Sequence, residues 1–296
     1  MKWLKRTVIG MSLLLMAFIL SGCSEAVADV NIADRIQRSE NPTLTWGVKA
    51  DTNLFGMYNI ESGKIEGFDV DIAKAITDEM TNGEGEAEFV EVTSKTRIPL
   101  LKNGKIDGIL ATMTISEERL KEVDFSDVYF NGGQSLLVPE DSEIHGIGDL
   151  TSEHTVLAIK GSSSTQNMRE LAPQVEVLDL ENYSEGFVAL QSGQGDALTT
   201  DNAILMGMID MNPGYRLAGE NFTEEPYGIA INKGQEDFLA MVNEALDTIQ
   251  ANGVYDAIYE KWFGHILPAD APGSGSTSTT GAADAASSVE EGEGEK

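Results

Sequence analysis

The chain has 296 residues, and its 49 Asp and Glu against 20 Lys and Arg give a formal net charge of −29. This balance excludes a docking surface for nucleic-acid phosphates or for anionic lipid headgroups. Hydrophobic residues make up 41% of the chain, so it can build ordinary cores, and its length allows one large domain or two of common size. One cysteine and three histidines exclude an internal disulfide and multi-cysteine metal sites, and we expect no metal and no cofactor.

The first 22 residues are typical of an export signal. Three basic residues precede an apolar run over 8–20, which as a helix is too short for the roughly 30 Å core of a bilayer. We therefore predict that residues 1–22 are a signal peptide that is removed. The quartet at 20–23, Leu-Ser-Gly-Cys, resembles the lipobox of bacterial lipoproteins, which implies a diacylglycerol on Cys23.

Two further segments near the ends are predicted to lie outside the folded body. Residues 23–40 are predicted to be a polar spacer behind the lipid anchor. Residues 268–296 are rich in Gly, Ser, Thr and acidic residues and have no aromatic residue. Such a composition cannot bury enough apolar surface to fold, so we predict a disordered acidic tail.

Between the ends, strand-like runs alternate with helical patterns, which predicts an α/β architecture with mostly parallel sheets. Leu44, Trp46 and Val48 alternate as in a strand, and the apolar spacing from Phe68 to Met80 predicts a helix after a hairpin-like stretch. The other predicted elements, in chain order, are a strand near 88–92, a short helix opened by Pro99, strands at 106–111 and 155–159, a helix after a Gly/Ser loop, a strand through Val175 and Val177, a helix near 184–191, strands at 196–199 and 227–231, and helices through 238–249 and 254–263.

The first candidate binding motif is TMTISEERLKEVDFSD at 112–127. Ser116 is predicted to cap a short helix, and Arg119 then extends from the first turn near the end of the preceding strand. Ligands of open α/β sheets bind at such strand ends, and a guanidinium matches a carboxylate. The alternative is a surface arginine paired with Glu122 or Asp124.

A second motif is the loop from Gly161 to Thr165, which follows a strand and opens a helix. Its amides and hydroxyls converge where the helix dipole favours an anion, and it lacks the Gly-Lys-Ser/Thr ending of a nucleotide-binding loop. The sequence favours carboxylate over phosphate, and a plain capped helix is the alternative. Asp201, after the run DALTT, either caps the next helix or offers its carboxylate to an ammonium group.

Long blocks of the chain resemble one family as a whole. GKIEGFDVDIAKAI, TRIPLLKNGKIDGILATMTISEERLKEVDFSD, DALTTDNAIL and NGVYDAIYEKWFG are similar to segments of the extracellular solute-binding proteins for polar amino acids, which serve ABC importers. The resemblance covers about residues 41–266. It implies a type II periplasmic-binding-protein fold, with two lobes, two hinge crossovers near 129–138 and 222–228, and a ligand cleft between the lobes.

The same resemblance implies the domain limits and the setting. Lobe 1 is expected from 41–130 plus 228–267, and lobe 2 with the hinges from 131–227. The chain is expected to be a lipid-anchored monomer on the extracytoplasmic face of the cell membrane. It would bind its solute by hinge closure and deliver it to an ABC permease, without catalysis.

The resemblance also implies roles for the motif residues. Arg119 is expected to hold the α-carboxylate of the ligand, and Asp201 the α-ammonium together with the carbonyl of Thr112. The expected helpers of Arg119 are Thr114, Ser164 and Thr165.

The expected ligand is glutamate or aspartate. Lys49 at a strand end and Arg97 before a helix resemble cations that meet the side-chain carboxylate in the glutamate- and aspartate-binding branch. Lys160 is expected to assist and Tyr183 to lie against the ligand. Leu54 and Ser94 stand where relatives specific for glutamine or arginine often carry aromatics.

Three alternatives stay open at this stage. The first is a binder of glutamine or another polar amino acid, and the second is a sensory receptor. The third is an enzyme like cyclohexadienyl dehydratase, whose elimination needs a general acid that no motif identifies here.

Overall fold

A computed structural model describes residues 31–266 of the chain. Strands and helices alternate along it, as the sequence predicts. In chain order the elements are α1 (Ile32–Arg38), β1 (Thr43–Val48), β2 (Asp51–Thr52), β3 (Gly56–Asn59), β4 (Lys64–Glu66), α2 (Phe68–Thr81), β5 (Glu86–Glu91), α3 (Arg97–Lys102), β6 (Gly108–Ile109), α4 (Glu117–Leu120), β7 (Val123–Gly132), β8 (Gln134–Pro139), β9 (Thr155–Ile159), α5 (Ser163–Leu171), β10 (Glu176–Leu180), α6 (Tyr183–Gln191), β11 (Ala197–Asp201), α7 (Asn202–Met211), β12 (Tyr215–Ala218), β13 (Glu225–Asn232), α8 (Glu236–Ala251) and α9 (Val254–Phe263).

Two five-stranded sheets define two lobes. The first has the strand order β5-β1-β6-β13-β7, in which β1 is parallel to β5 and β6 while β13 is antiparallel to both of its neighbours. The second has the order β10-β9-β11-β8-β12, in which β9 is parallel to β10 and β11 and β8 is antiparallel to its neighbours. We call the elements around the first sheet lobe 1 and those from β8 to β12 lobe 2.

The chain crosses between the lobes twice. It passes from β7 to β8 through Gly133, and it returns between β12 and β13. Because β13 joins the first sheet, lobe 1 contains both ends of the described chain and lobe 2 is inserted into it. This architecture confirms the predicted α/β fold with two lobes and two crossovers. The sheets are mixed and not mostly parallel as predicted, because β13 and β8, the strands next to the crossovers, run antiparallel to their neighbours.

Lobe 1 is built on a large buried apolar core. Leu44, Trp46 and Val48 on β1 are fully buried, as their alternation predicts, and the Trp46 indole donates a hydrogen bond of 2.9 Å to Thr77 Oγ1 on α2. Phe68 packs edge-to-face on Phe263 with ring centroids 5.1 Å apart. Burial of such side chains contributes about 25 cal/mol per Å2 of apolar surface, so this core fixes the strand ends that carry the cleft.

Three details differ from the sequence-based expectation. The strand predicted at 106–111 is shorter, because β6 spans only Gly108–Ile109. Residues 31–40 include the helix α1, whose Ile32, Ala33 and Ile36 are buried, rather than an extended polar spacer. Its apolar face is paired with lobe 1, and the Ile32 amide donates to Gln235 Oε1 at 2.9 Å. The short helix α3 begins at Arg97 and not at Pro99, since a proline fits the first turn, where amides lack helical partners.

Three predictions fall on residues outside the described range. These are the signal peptide at 1–22, the lipidation of Cys23 and the acidic tail at 268–296. Within residues 31–266, no helix is both long and apolar enough to cross a bilayer.

Candidate ligand-binding cleft

The candidate residues of both lobes lie at the carboxyl ends of parallel strands. In lobe 1, Lys49 follows β1, and Thr112 and Thr114 follow β6. In lobe 2, Ser164 and Thr165 follow β9, Tyr183 follows β10, and Asp201 ends β11. Ligands of open α/β sheets bind at these ends, and here the two sets face each other across the cleft.

Arg119 links the two lobes at this cleft. Its backbone N–H is capped by Ser116 Oγ, as predicted, and Nη1 donates to the Thr114 carbonyl at 2.7 Å while Nη2 donates to the Gly161 carbonyl of lobe 2 at 3.1 Å. Burial lowers the pKa of Arg119, but an arginine remains a cation at neutral pH. A planar fork held by backbone carbonyls is suited to bind a carboxylate through its remaining donors.

The surface alternative for Arg119 does not match its partners. Glu122 pairs with Lys102, and Asp124 pairs with Lys233. Both acids are therefore engaged by lysines, and Arg119 is left directed at the cleft.

Asp201 is a buried carboxylate that does not cap its helix. It occupies the N-cap position of α7, but its side chain makes no capping bond, while Oδ2 accepts a hydrogen bond from Tyr227 OH at 2.5 Å. Burial and the nearby Glu225 carboxylate raise the pKa of Asp201 to about 7. Its Oδ1 has no hydrogen-bond partner among the described residues. The side chain therefore does not fill the predicted capping role, because it bonds to Tyr227 and not to an amide of α7.

Ser164 and Thr165, the two hydroxyl residues predicted to bind the ligand, differ in whether their hydroxyl groups already have a hydrogen-bond partner. Ser164 is 1% exposed, and its Oγ lacks a partner in the described chain. Thr165 Oγ1 instead donates to Asp179 Oδ1 at 2.7 Å, so its hydroxyl proton is already committed. Because a helix begins at Ser163, the amides of its first turn are the donors that remain for an anion.

Lys49 is a buried cation of lobe 1 in the same cleft. It is 1% exposed, its Nζ donates to Ser94 Oγ at 2.8 Å, and it lies 4.9 Å from the centre of the Tyr183 ring. Burial, reinforced by the neighbouring Arg97, lowers the pKa of Lys49 to about 7. The Ser94 hydroxyl accepts the hydrogen bond from Lys49 and so fixes the position of the lysine.

Arg97 is equally buried beside it. Nη1 donates to the carbonyls of Ala111 at 2.7 Å and Thr112 at 3.3 Å, and burial lowers the pKa of Arg97 to about 9. Its Nε has no partner within residues 31–266. The backbone carbonyls therefore fix the guanidinium, and Nε remains available to a polar ligand.

Thr112 is held in an unusual conformation by a residue that the sequence analysis missed. Its φ of 46° lies in the left-handed region, its amide donates to Asp69 Oδ2 at 2.9 Å, and Asp69 Oδ1 accepts from Tyr129 OH at 3.0 Å. Burial raises the pKa of Asp69 to about 7. Strained backbone of this kind is often found at binding sites. Asp69 lies in the first turn of α2, and nothing in the local sequence distinguishes it from a solvent-exposed acid at such a position.

Lobe 1 also reaches across the cleft at a second place. Asp51 Oδ2 accepts the Tyr183 amide at 2.7 Å and the Ser184 amide at 3.4 Å, so a carboxylate of lobe 1 caps the helix α6 of lobe 2. Asn53 Nδ2 donates to the Gly207 carbonyl on α7 at 2.9 Å. Neither residue was predicted, because their partners lie more than a hundred positions away in the chain.

Gly161 allows a close approach of the lobes. Its φ of 81° is left-handed, and a Cβ at this position would lie 2.8 Å from the backbone of Lys95 in lobe 1. A glycine is required here for both reasons. Lys160, next to it, forms an ion pair with Glu181 at the surface and is not directed into the buried part of the cleft.

Polar atoms without partners concentrate in the cleft. Arg97 Nε, Thr112 Oγ1, Ser164 Oγ and Asp201 Oδ1 are all buried without a hydrogen bond in the described residues. Buried polar groups are normally paired, so this arrangement fits a small ligand that carries both donors and acceptors.

A cavity of about 760 Å3 lies beside Arg119 at the mouth of the cleft. Its lining residues come from both lobes and include Ser94, Lys95, Ser116, Gly161, Ser163, Gln166 and Asn167. Within residues 31–266, no group of three or more His, Cys, Asp or Glu is arranged to hold a metal ion. The polar groups that the described residues bring to the cleft are charged side chains, hydroxyls and backbone amides.

The fold and the cleft define a two-lobed solute-binding protein. The model of the bacterial extracellular solute-binding proteins, family 3, matches residues 44–265, and the chain belongs to that family. Membership places the chain among extracytoplasmic proteins that bind solutes, in agreement with the resemblance noted from the sequence.

Three comparisons illustrate the relationship. The ABC transporter glutamine-binding protein GlnH of Bacillus subtilis (strain 168) is 58% identical over 223 residues, which cover 75% of this chain and 82% of that protein. The glutamate-binding protein GluB of Corynebacterium efficiens is 33% identical over 227 residues, with 73% and 77% covered. A solved structure of an ancestral arginine-binding protein bound to glutamine has a TM-score of 0.71 and 42% identity, and it covers 76% of this chain and 100% of that one.

Proposed function

We propose that the protein is the solute-binding component of an ABC amino-acid importer and binds a zwitterionic α-amino acid between its lobes. The observation that carries this proposal is that one cleft holds the Arg119 guanidinium, which reaches Gly161 of lobe 2, and the buried Asp201 carboxylate, whose charge acts on Arg119 and whose Oδ1 has no partner among the described residues. These groups match the carboxylate and the ammonium that every free amino acid has. The amides of α5 and the hydroxyl of Ser164 complete the carboxylate side, and the carbonyl of Thr112 the ammonium side.

We propose glutamine as the ligand, ahead of the glutamate or aspartate predicted from Lys49 and Arg97. The high identity to a relative named for glutamine supports this choice, and the relative named for glutamate is far more distant. The charges support it as well. Asp69, Asp201 and Glu225 are buried with these cations, and the whole chain is strongly acidic.

A dicarboxylic ligand would have to overcome that surplus of negative charge. Because the pKa of Lys49 is lowered to about 7, much of it is uncharged at pH 8, and binding of an ionised glutamate side chain would require Lys49 to take up a proton from solvent. The amide of glutamine needs no such proton. It accepts from Arg97 through its oxygen and donates through its nitrogen.

Calorimetry with glutamine, glutamate, aspartate, asparagine and arginine tests both levels of the proposal. We expect the tightest binding for glutamine, with a micromolar dissociation constant, which corresponds to a binding free energy of about −8 kcal/mol. Titration in two buffers of different ionisation enthalpy then measures proton uptake, which is expected for glutamate and not for glutamine. Tighter binding of glutamate would restore the acidic-ligand prediction, and heat for none of the five would refute an amino-acid ligand.

We further propose the molecular setting expected from the sequence. Residues 41–130 plus 228–267 and residues 131–227 would move as two units, with residues 1–22 removed and Cys23 lipidated. Mass spectrometry of the mature N-terminus tests the last two points, because an intact Met1 or an unmodified Cys23 contradicts them. Sedimentation of the purified protein tests whether it is a monomer.

Deletion of the gene separates import from the two remaining alternatives. We expect loss of uptake of the bound amino acid. Binding without an uptake defect would indicate a sensory receptor, and product formation from prephenate would indicate a dehydratase.

A further inference from the structure

Glu225 is a buried carboxylate that no sequence motif singled out. It is the first residue of β13, where the chain has just returned from lobe 2, and it is 3% exposed. It pairs with Gly132 of β7, the last residue before the other crossover. Glu225 therefore lies where both connections between the lobes run side by side.

Its side chain holds the helix of the Gly/Ser loop. Ser163 Oγ donates to Oε2 at 2.8 Å, and Asn167 Nδ2 donates to Oε1 at 2.8 Å. Ser163 and Asn167 are four residues apart, so both are on one face of α5. Thr223 Oγ1 donates to the same Oε1 at 2.9 Å. The carboxylate thus attaches the first turn of α5 to the crossover strand.

The charge of Glu225 acts on both ends of the proposed amino-acid site. Burial lowers the pKa of Arg119, and Glu225 is the strongest charge that opposes this. After burial, Glu225 is also the largest cause that raises the pKa of Asp201. The other charged or titratable groups that face Asp201 are Tyr227 on β13, Arg119 and Arg97 from lobe 1, and Tyr183 on α6.

We propose that Glu225 is a positioning residue of this site: from the crossover strand it holds the first turn of α5, with Ser164 and Thr165, and supplies the negative charge opposite Arg119. When the lobes move about the crossover, the first turn of α5, which is the anion-binding end of the site, then moves together with Glu225. This inference rests on the proposed function, since it concerns the same cleft.

Three substitutions separate the contacts of Glu225 from its charge. Glu225→Gln removes the charge, Glu225→Asp keeps the charge and shortens the reach to α5, and Glu224→Gln removes an exposed charge one position away as the matched control. Affinity is measured by calorimetry from pH 5 to pH 9, with whichever amino acid binds the unaltered protein most tightly.

We expect both Glu225 variants to bind about tenfold more weakly at pH 8, because hydrogen bonds to a charged group are lost. In Glu225→Gln alone, the acid-side loss of affinity should move by at least about half a pH unit to lower pH, because Asp201 then ionises more readily. Glu224→Gln should match the unaltered protein in both respects. A purely structural role of Glu225 would weaken binding without moving the pH midpoint.

Unchanged affinity and an unchanged midpoint in Glu225→Gln would overturn the inference. If that variant does not fold, Ser163→Ala and Asn167→Ala replace it, because they remove the donors on α5 and leave the carboxylate. Each is expected to weaken binding about threefold or more, and two unaffected variants would be decisive against the inference. Failure of the unaltered protein to bind any amino acid would refute the proposed function instead.

Discussion

Replacement of Asp201 by Asn is expected to weaken ligand binding and, at the same time, to stabilise the ligand-free protein. The carboxylate is buried in the cleft, accepts one hydrogen bond from Tyr227 and has one oxygen without a partner among the described residues. Asparagine is nearly the same size, and its carbonyl oxygen can still accept from Tyr227. The substitution therefore removes a charge and little else.

The effect on stability follows from the raised pKa of Asp201. The pKa moves from 3.8 to about 7, so between these pH values the unfolded chain has released the proton while the folded chain retains it. Stability therefore falls as the pH rises through this window, and above pH 7 the full cost is present. A tenfold difference in proton affinity corresponds to about 1.4 kcal/mol, so that cost is about 4 kcal/mol.

An asparagine side chain does not ionise and avoids this cost. We expect ligand-free Asp201→Asn to unfold about 10 °C higher than the unaltered protein at pH 8, with little difference at pH 4. Glutamine affinity should fall about 10- to 150-fold at pH 8, because a hydrogen bond between two charged groups is lost. Calorimetric unfolding without ligand and titration with glutamine measure the two effects separately.

A matched control is Asp210→Asn, which removes one exposed charge from the same helix. It should change neither quantity appreciably. Glutamine binding within twofold of the unaltered protein in Asp201→Asn would refute the role of this carboxylate. An unfolding temperature that does not rise at pH 8 would refute the reasoning from burial.

Three further predictions address other parts of the cleft. Arg119→Ala should weaken binding of every amino acid at least about 100-fold in calorimetry, since a bidentate charged contact is lost, and retained affinity would contradict the assignment. Gly161→Ala should weaken binding about tenfold or more, because its Cβ would clash with the Lys95 backbone as the lobes close. Small-angle scattering with saturating glutamine should show a more open protein than the unaltered one. Unchanged closure would contradict this reasoning. The pKa of Lys49 is lowered from 10.5 to about 7, so burial of its charge destabilises the folded protein fully below pH 7 and progressively less as the pH rises toward 10.5. Denaturant titrations should therefore find ligand-free Lys49→Met more stable than the unaltered protein at pH 6. Equal stability would contradict the buried lysine.

The sequence determined the fold class and most of the candidate site residues. Apolar alternation in β1 and the helical spacing in α2 depend on the local chain, and such periodicities are readable without a structure. The Ser116 cap and the position of Arg119 on the first turn of its helix are local as well. The helix α1 was missed because three small or branched apolar residues among polar ones give a weak signal, and only packing against lobe 1 stabilises it.

The partners of those residues were decided by the tertiary structure. Nothing in the local sequence separates Asp201 as a helix cap from Asp201 as a free carboxylate, because both need an acid after a strand. Asp51, Asp69 and Glu225 entered the site only when two lobes and two crossovers brought together segments that are far apart in the chain. Their charges act at short range in a buried environment of low polarity, so the electrostatics of the cleft depend on folding and not on composition. The sequence thus supplied the groups of the site, and the distances between them come from the packing of the two lobes.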